Sequence, residues 1–218
     1  ADLLLKFEQI AVGPIVATDL RGHVLLDDGR LRLEDLAVSL PGAALSGEAT
    51  AALADDPPTM DLVLAAEQVQ LPQALSFLSA PPKIEGGLQA VALKAEAQGH
   101  TLAALIASLG AEITAAAARL RQPDGPTDQA VLSGIKLSST PGAPVRLRAD
   151  VAIGHQAFSA DIVGGPLADL LQGEGSWPSI EFVVVGDFQG SAARLRGKVG
   201  SLSALLAGRN VRVDLTAN

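Results

Sequence analysis

The sequence predicts a mainly β protein with a few short α-helices. Three observations support this fold class. Apolar and polar residues alternate along most of the chain, clusters of Pro and Gly separate the alternating segments, and helical spacing is confined to short segments. Strict alternation is typical of antiparallel strands that have one apolar face and one wet face. The fold therefore depends on what covers the apolar face.

The segment VLLDDGRLRLEDLAVSL, residues 24–40, predicts two strands joined by a tight turn. The turn is placed at residues 27–29, Asp-Asp-Gly, because these residue types tolerate a positive φ. In the second strand the apolar positions are odd-numbered as far as Leu33 and even-numbered from Leu36 onward. One extra residue near residues 34–35 would return them all to one face, so the sequence predicts a β-bulge there.

Alternation recurs along the rest of the chain. It predicts further strands at residues 43–53, 145–153, 180–188, 193–199 and 211–215. Helical spacing predicts short helices at residues 71–79, 101–110, 165–173 and 200–208, with Thr101 as an N-cap and Pro166 in a first turn. Their leucines are expected to lie against the sheet, and their spacing favours an internal repeat of strands plus a short helix. We expect one β-rich unit, residues 1–218, with a candidate internal boundary near residues 122–128.

Composition narrows the functional class. The chain of 218 residues has a net charge of −8, is 48% hydrophobic and 3% aromatic, and contains no cysteine. Its Lys and Arg residues are not clustered, which argues against a nucleic-acid partner. No apolar stretch reaches the length of about 18 residues that a transmembrane helix needs. Because the chain opens with Ala1, we expect a processed chain or a fragment of a larger protein.

No group of residues predicts catalysis, a cofactor or a metal site. His23, His100 and His155 are far apart in sequence and each lies beside a glycine, so they are expected in solvent-facing turns or strands. Ser176 lacks the G-x-S-x-G frame of a nucleophile, and Trp177 is expected to be a packing residue. We therefore expect a protein that is not an enzyme and that uses no cofactor.

The apolar face itself is the strongest indication of function. An apolar side chain left in water forfeits roughly 1.5–3 kcal/mol relative to burial, so a dozen would forfeit on the order of 20 kcal/mol. Something must cover them. The periodicity alone favours a second sheet, giving a closed β-sandwich. The alternative is an open face that is partly covered by short helices and partly by a lipid or another hydrophobic molecule.

A family resemblance favours the second alternative. The run ATDLRGHVLLDDGRLRLEDLAVSLPGAALSGEATAAL resembles the repeat of AsmA-like proteins of Gram-negative bacteria, in which a strand, a hairpin and a strand built around spaced glycines follow one another. DLVLAAEQVQLPQALSFL is similar to that family's strand and short helix, and KIEGGLQAVALKAEAQGHTLAALIASLGAEITAAAARLR to the continuation of the repeat. The match covers residues 3–121. Beyond them only a helix–strand phrase at Gly165 and Gly200 is kept.

The resemblance implies an elongated, curved, mostly antiparallel sheet that forms an open hydrophobic groove. It also implies a periplasmic protein anchored in the inner membrane by a helix that this chain lacks. Such a protein would carry phospholipid-like molecules between the inner and outer membranes, or act as a scaffold or adaptor in outer-membrane assembly. The expected partners are a lipid and a membrane surface or envelope membrane proteins. The residues expected to line the groove are Leu26, Leu33, Val38, Leu45, Leu64, Leu147, Val151, Phe182, Leu195 and Val213.

Overall fold

The computed structural model describes residues 2–12, 15–74, 76, 85–121, 130–166, 180–188, 191–199 and 212–217. Within β11–β13, side chains are described only at Val183, Val185 and Gly197. The strands are β1 Asp2–Val12, β2 Ile15–Asp27, β3 Arg30–Leu40, β4 Ala43–Ala52, β5 Thr59–Gln70, β6 Glu85–Gln98, β7 Gly110–Arg121, β8 Ala130–Ser139, β9 Pro144–Ile153, β10 Gln156–Pro166, β11 Ile180–Phe188, β12 Ser191–Val199 and β13 Arg212–Ala217. The helices are α1 Leu71–Ala74 and α2 Leu102–Ala107.

All strands belong to one antiparallel sheet. It has 13 strands, and their order in the sheet is their order in the chain, from β1 to β13. In the described part of the chain β1 and β13 form no ladder with each other, so the sheet is open at both ends. At about 4.8 Å per strand it is about 58 Å long. The predicted fold class is confirmed: the protein is mainly β, elongated and open. The alternative of a closed β-sandwich is wrong for these strands.

The predicted first hairpin is confirmed in detail. β2 ends at Asp27 and β3 begins at Arg30, and the two turn residues have φ of 45° at Asp28 and 72° at Gly29. Two consecutive positive φ angles are the geometry of a tight hairpin turn whose twist matches the flanking strands. The predicted bulge is also present, because the register between β3 and β4 shifts between Leu33 and Leu36.

The predicted helices at residues 71–79 and 101–110 correspond to α1 and α2, and residues 75 and 77–79 of the first lie outside the described residues. α2 begins after Thr101, whose side chain accepts a hydrogen bond from the backbone N–H of Ala104, as expected of an N-cap. α1 is a single turn. Pro166, which was expected in a helix, ends strand β10. Leu102 does not pack on the sheet as predicted, since 74% of it is exposed. The remainder of the two predicted C-terminal helices lies outside the described residues.

The surface of the protein is large for its mass. The accessible area is 13683 Å². A compact monomer of 22.2 kDa is expected to expose about 9,400 Å². The core is correspondingly thin, and its buried apolar residues are mostly alanines: Leu36, Ala51, Leu64, Ala66, Ala115, Ala118, Val145 and Ala149. A single layer, rather than two packed layers, explains both observations.

Candidate functional site: the apolar face of the sheet

The pairing register divides the sheet into two faces, because directly paired residues on adjacent strands point to the same side. One face carries an unbroken central row of apolar residues. From β3 to β13 that row is Leu36, Gly47, Leu64, Leu93, Ile113, Leu137, Leu147, Ile162, Phe182, Gly197 and Val213. We call this side of the sheet the apolar face.

The opposite side is the charged face. Lys94 pairs in register with Glu112, Glu112 with Ser138, and Ser138 with Arg146. The strand pairing from β2 to β10 assigns each residue to a face. Every charged residue within these strands lies on the charged face or in a bulge, and none lies on the apolar face. The register continues this separation along the backbone of β11–β13. The alternation seen in the sequence therefore produces two chemically different surfaces.

Burial differs sharply between the faces. On β5, Leu64 of the apolar face is 9% exposed, whereas its chain neighbour Val63 on the charged face is 39% exposed. Likewise, Val145 on the apolar face of β9 is 9% exposed, whereas Val131 on the charged face of β8 is 40% exposed. Side chains on the inside of a curved sheet crowd together, so a sheet curved around its apolar face is consistent with this difference. A curved groove is consistent with the same observations.

Bulges keep the apolar residues on one face along the length of the strands. On β6, for example, Leu88 and Val91 pair within the apolar rows although they are three residues apart. The two residues between them include Ala90, whose φ is 49°. A left-handed residue next to an extra residue reverses the alternation, which is how a bulge works.

Neighbouring strands share this irregularity. The pairing register is continuous from β5 through β6 and β7 to β8, so these four strands carry the extra residue together. The register shifts instead between β4 and β5 and between β8 and β9. On β8 the corresponding left-handed residue is Gly134, with φ of 57°. The bulges therefore form a line across the middle of the sheet, and bulges bend strands and increase their twist.

Seven of the ten residues predicted to line a groove lie on the apolar face, and for the other three, Phe182, Leu195 and Val213, only the backbone register is described. Leu64, Leu147, Phe182 and Val213 occupy the central row. Val38 pairs with Leu45 in the adjacent row, and the backbone register places Leu195 in the same row. Leu33, Leu26 and Val151 lie in the outer rows. The structure thus spreads them over β2–β13, about 53 Å apart at the extremes, rather than gathering them into one pocket. The side chains of Phe182, Leu195 and Val213 are outside the described set.

Other residues of the face were missing from the sequence prediction. Leu93, Ile113, Leu137 and Ile162 complete the central row. The alternation in residues 88–97, 111–115, 132–137 and 158–162 is the signal that could have identified them. The most buried positions are alanines such as Ala118, 1% exposed, which were overlooked because the prediction selected large side chains.

Ion pairs organise the charged face. Arg146 donates two hydrogen bonds to the carboxylate of Asp161, one of them from Nε to Oδ1 at 2.6 Å. The hydrogen bonds from Arg146 lower the pKa of Asp161, and the nearby charge of Arg148 adds to the effect. Lys136 Nζ lies 2.6 Å from Glu112 Oε2. These groups are solvent-exposed, so they fix side-chain positions more than they stabilise the fold.

The charged face carries an open depression. It has a volume of about 840 Å³ and is bordered by Arg21, His23, Asp35 and Glu48. Within the described ranges no three His, Asp or Glu side chains are placed to hold a metal ion. No helix described in the structure is long and apolar enough to cross a membrane. The two C-terminal residues singled out earlier, Ser176 and Trp177, lie outside these ranges.

The chain matches no protein-family model, no curated protein and no solved structure. The resemblance to AsmA-like proteins therefore stays a prediction that rests on the residues quoted for it.

Proposed function

We propose that the protein is a non-catalytic lipid-binding module that carries phospholipid-like molecules on its apolar face. One observation carries the proposal: the apolar face runs across the whole sheet, and no strand of β2–β10 places a charged side chain on it. Soluble monomers rarely expose an apolar surface of this extent unless something binds there. A lipid chain is apolar along its length and matches a surface that offers no polar contacts.

The dimensions support a long hydrocarbon ligand. The face extends about 58 Å across the strands, which is nearly twice the hydrocarbon thickness of about 30 Å of a bilayer. More than one acyl chain can therefore lie along it. Few aromatic residues and many Ala and Gly give a smooth surface. Such a surface favours general lipids over one tightly recognised ligand.

The cellular setting belongs to the same proposal. By its resemblance to AsmA-like proteins, the module works in the periplasm, as part of a protein anchored in the inner membrane, and moves lipid between the two membranes of the envelope. Its partners are then lipid and envelope membranes or membrane proteins, and not nucleic acid. No reaction is proposed for it.

The direct test is the content of the purified protein. Protein prepared without detergent is extracted with organic solvent, and mass spectrometry identifies the released molecules. We expect lipid in the extract. A well-folded protein that yields no lipid, even after incubation with phospholipid vesicles, would contradict the proposal.

A matched pair of substitutions on one strand locates the binding surface. Leu137 lies in the central row of β8, and Val131 lies on the charged face of the same strand and is 40% exposed. We expect Leu137→Gln to release most of the lipid, because a buried amide without a hydrogen-bond partner costs about 1–3 kcal/mol. Val131→Gln should retain the lipid. Circular dichroism establishes that both variants are folded, and equal lipid content in the two would place the ligand elsewhere.

The scaffold alternative makes a different prediction. If the apolar face only stabilises the fold or an assembly, a charged residue in place of Leu33 or Leu147 prevents folding and does not merely prevent lipid binding. Under the lipid proposal, a variant with the milder Gln at either position remains folded and loses lipid. Measuring the midpoint of thermal unfolding and the lipid content of the same samples separates the two functions.

A further inference from the structure

Four of the large exposed apolar residues lie along one rim of the sheet. They are Leu26 at the end of β2, Leu53 after β4, Met60 at the start of β5 and Leu102 in α2, and their exposed fractions are 43%, 51%, 45% and 74%. We call these four residues the apolar lip. They are more exposed than the central row, in which Leu36 and Leu64 are buried and the other leucines and isoleucines are half-buried.

The register shows that the lip is continuous with the apolar face. Leu26 pairs with Leu31, Leu31 with Ala51, and Ala51 with Met60. This outermost row therefore links two members of the lip across three strand spacings, or about 14 Å. A hydrocarbon chain arriving at the lip would meet no charged side chain on its way to the central row.

The structure holds the lip in place through contacts between neighbouring loops. The backbone N–H of Leu53 donates to the carbonyl of Gly29 at 2.8 Å, and that of Gly99 donates to the carbonyl of Pro58 at 2.9 Å. His100 Nε2 lies 2.7 Å from Asp56 Oδ1, which ties the start of α2 to the loop between β4 and β5. The exposed apolar residues are thus part of ordered structure.

The lip is also bordered by acidic residues. Asp27, Asp28, Asp55 and Asp56 lie around it and are exposed, and the basic residues beside them are Arg30 and His100, of which His100 contacts Asp56. A single charge close to an anionic leaflet changes the affinity for the membrane by about fivefold. The aspartates are negative, so they lower the affinity for such a leaflet. The charge pattern therefore favours a surface of zero net charge over an anionic one.

We propose that the apolar lip is a membrane-docking edge that inserts into the interface of a zwitterionic bilayer and delivers lipid chains onto the apolar face. This inference rests on the proposed lipid-binding function and adds the place of entry and the charge of the donor surface. The lip supplies apolar anchors, the acidic turns stay in the aqueous layer, and the row from Met60 to Leu26 provides an uncharged path.

The test measures flotation of the protein with vesicles. We expect binding to vesicles of phosphatidylcholine alone, and binding weaker by tenfold or more to vesicles of equal parts phosphatidylcholine and phosphatidylglycerol at low salt. Leu102→Asp should lower binding to the first vesicles about tenfold, because it removes an exposed anchor and adds a charge. The fold should tolerate it, since Leu102 opens α2, where an acidic residue suits the helix dipole.

A pair on β5 provides the control. Met60→Ser, on the lip, should weaken vesicle binding, and Val63→Ser, similarly exposed on the charged face, should not. Stronger binding to the anionic vesicles, or equal losses from Met60→Ser and Val63→Ser, would overturn the inference. So would a wild-type protein that carries extractable lipid yet binds neither vesicle, the result expected if the lip docks on another protein. That last result leaves the lipid-binding function standing, whereas absence of lipid from the extract refutes the function itself.

Discussion

Gly47 is a position at which the structure predicts a large loss of stability from one methyl group. Gly47 lies in the central row between Leu36 and Leu64 and pairs with both. A Cβ at this position would lie 1.9 Å from the carbonyl oxygen of Val63 and 2.9 Å from the Cα of Leu64. Because the obstacle is backbone, β5 must move away from β4 for Gly47→Ala to fit.

The cost follows from what that movement breaks. Overpacking costs about 1–3 kcal/mol. Each backbone hydrogen bond lost from the ladder adds about 1 kcal/mol. We expect Gly47→Ala to reduce the free energy of unfolding by about 3–5 kcal/mol, a large part of the 5–15 kcal/mol typical of a domain. The corresponding fall in the melting temperature is about 10 °C for a chain of this size.

Gly164→Ala is the matched control. A Cβ there would meet its nearest atom, the carbonyl oxygen of Val145, at 3.9 Å, which is ordinary contact. Gly164→Ala should therefore be neutral or slightly stabilising, because alanine restricts the unfolded chain. Urea unfolding of both variants measures the difference. If Gly47→Ala unfolds within about 0.5 kcal/mol of the parent protein, the close approach of β4 and β5 is wrong.

Three further outcomes are expected. Arg146 lowers the pKa of Asp161, so the stability that this contact contributes is present above the unfolded carboxyl pKa of about 3.9. It is lost as the pH falls through the lower pKa of the folded state. The destabilisation caused by Asp161→Asn, measured by thermal unfolding, should therefore shrink below about pH 4. Leu64→Ala should cost about 2–5 kcal/mol in urea unfolding, against less than about 1 kcal/mol for Val63→Ala, and similar costs would refute the difference in burial. Ser139→Ala should not destabilise, because Ser139 Oγ is buried without a hydrogen-bond partner, and a loss above about 1 kcal/mol would show that it has one.

Much of the fold could be predicted from the sequence because alternation is a local signal. The turn at Asp28 and Gly29 and the bulge after Leu33 both follow from residue types and parity within one hairpin. The bulges on β5–β8 are harder to find, because they depend on register with neighbouring strands. Ala90 adopts a left-handed φ although nothing in its residue type favours it. The predicted packing of Leu102 on the sheet is wrong, since a leucine spacing of three and four residues does not show whether a surface is there to receive the helix.

The sequence-based figure of about 20 kcal/mol for an uncovered apolar face is too large. It counted each apolar side chain as fully exposed to water. In the structure, neighbours in the same row cover one another, so that Leu36 is 7% and Leu64 is 9% exposed. What a bound lipid would cover is the residual area of each, together with the strand ends, where Met60 and Ile153 are 45% and 37% exposed. The sheet itself therefore buries Leu36 and Leu64.

The order of the strands has a consequence for how such a protein is made and how its length can change. Since each strand pairs only with the strands just before and after it, a newly synthesised hairpin finds its partner as soon as it leaves the ribosome and need not wait for distant segments. Stability then accumulates from nearest-neighbour interfaces, as in repeat proteins. Inserting or deleting a hairpin would lengthen or shorten the surface without disturbing the pairing of the others. The size of the apolar face is therefore a quantity that evolution, or a protein engineer, can adjust two strands at a time.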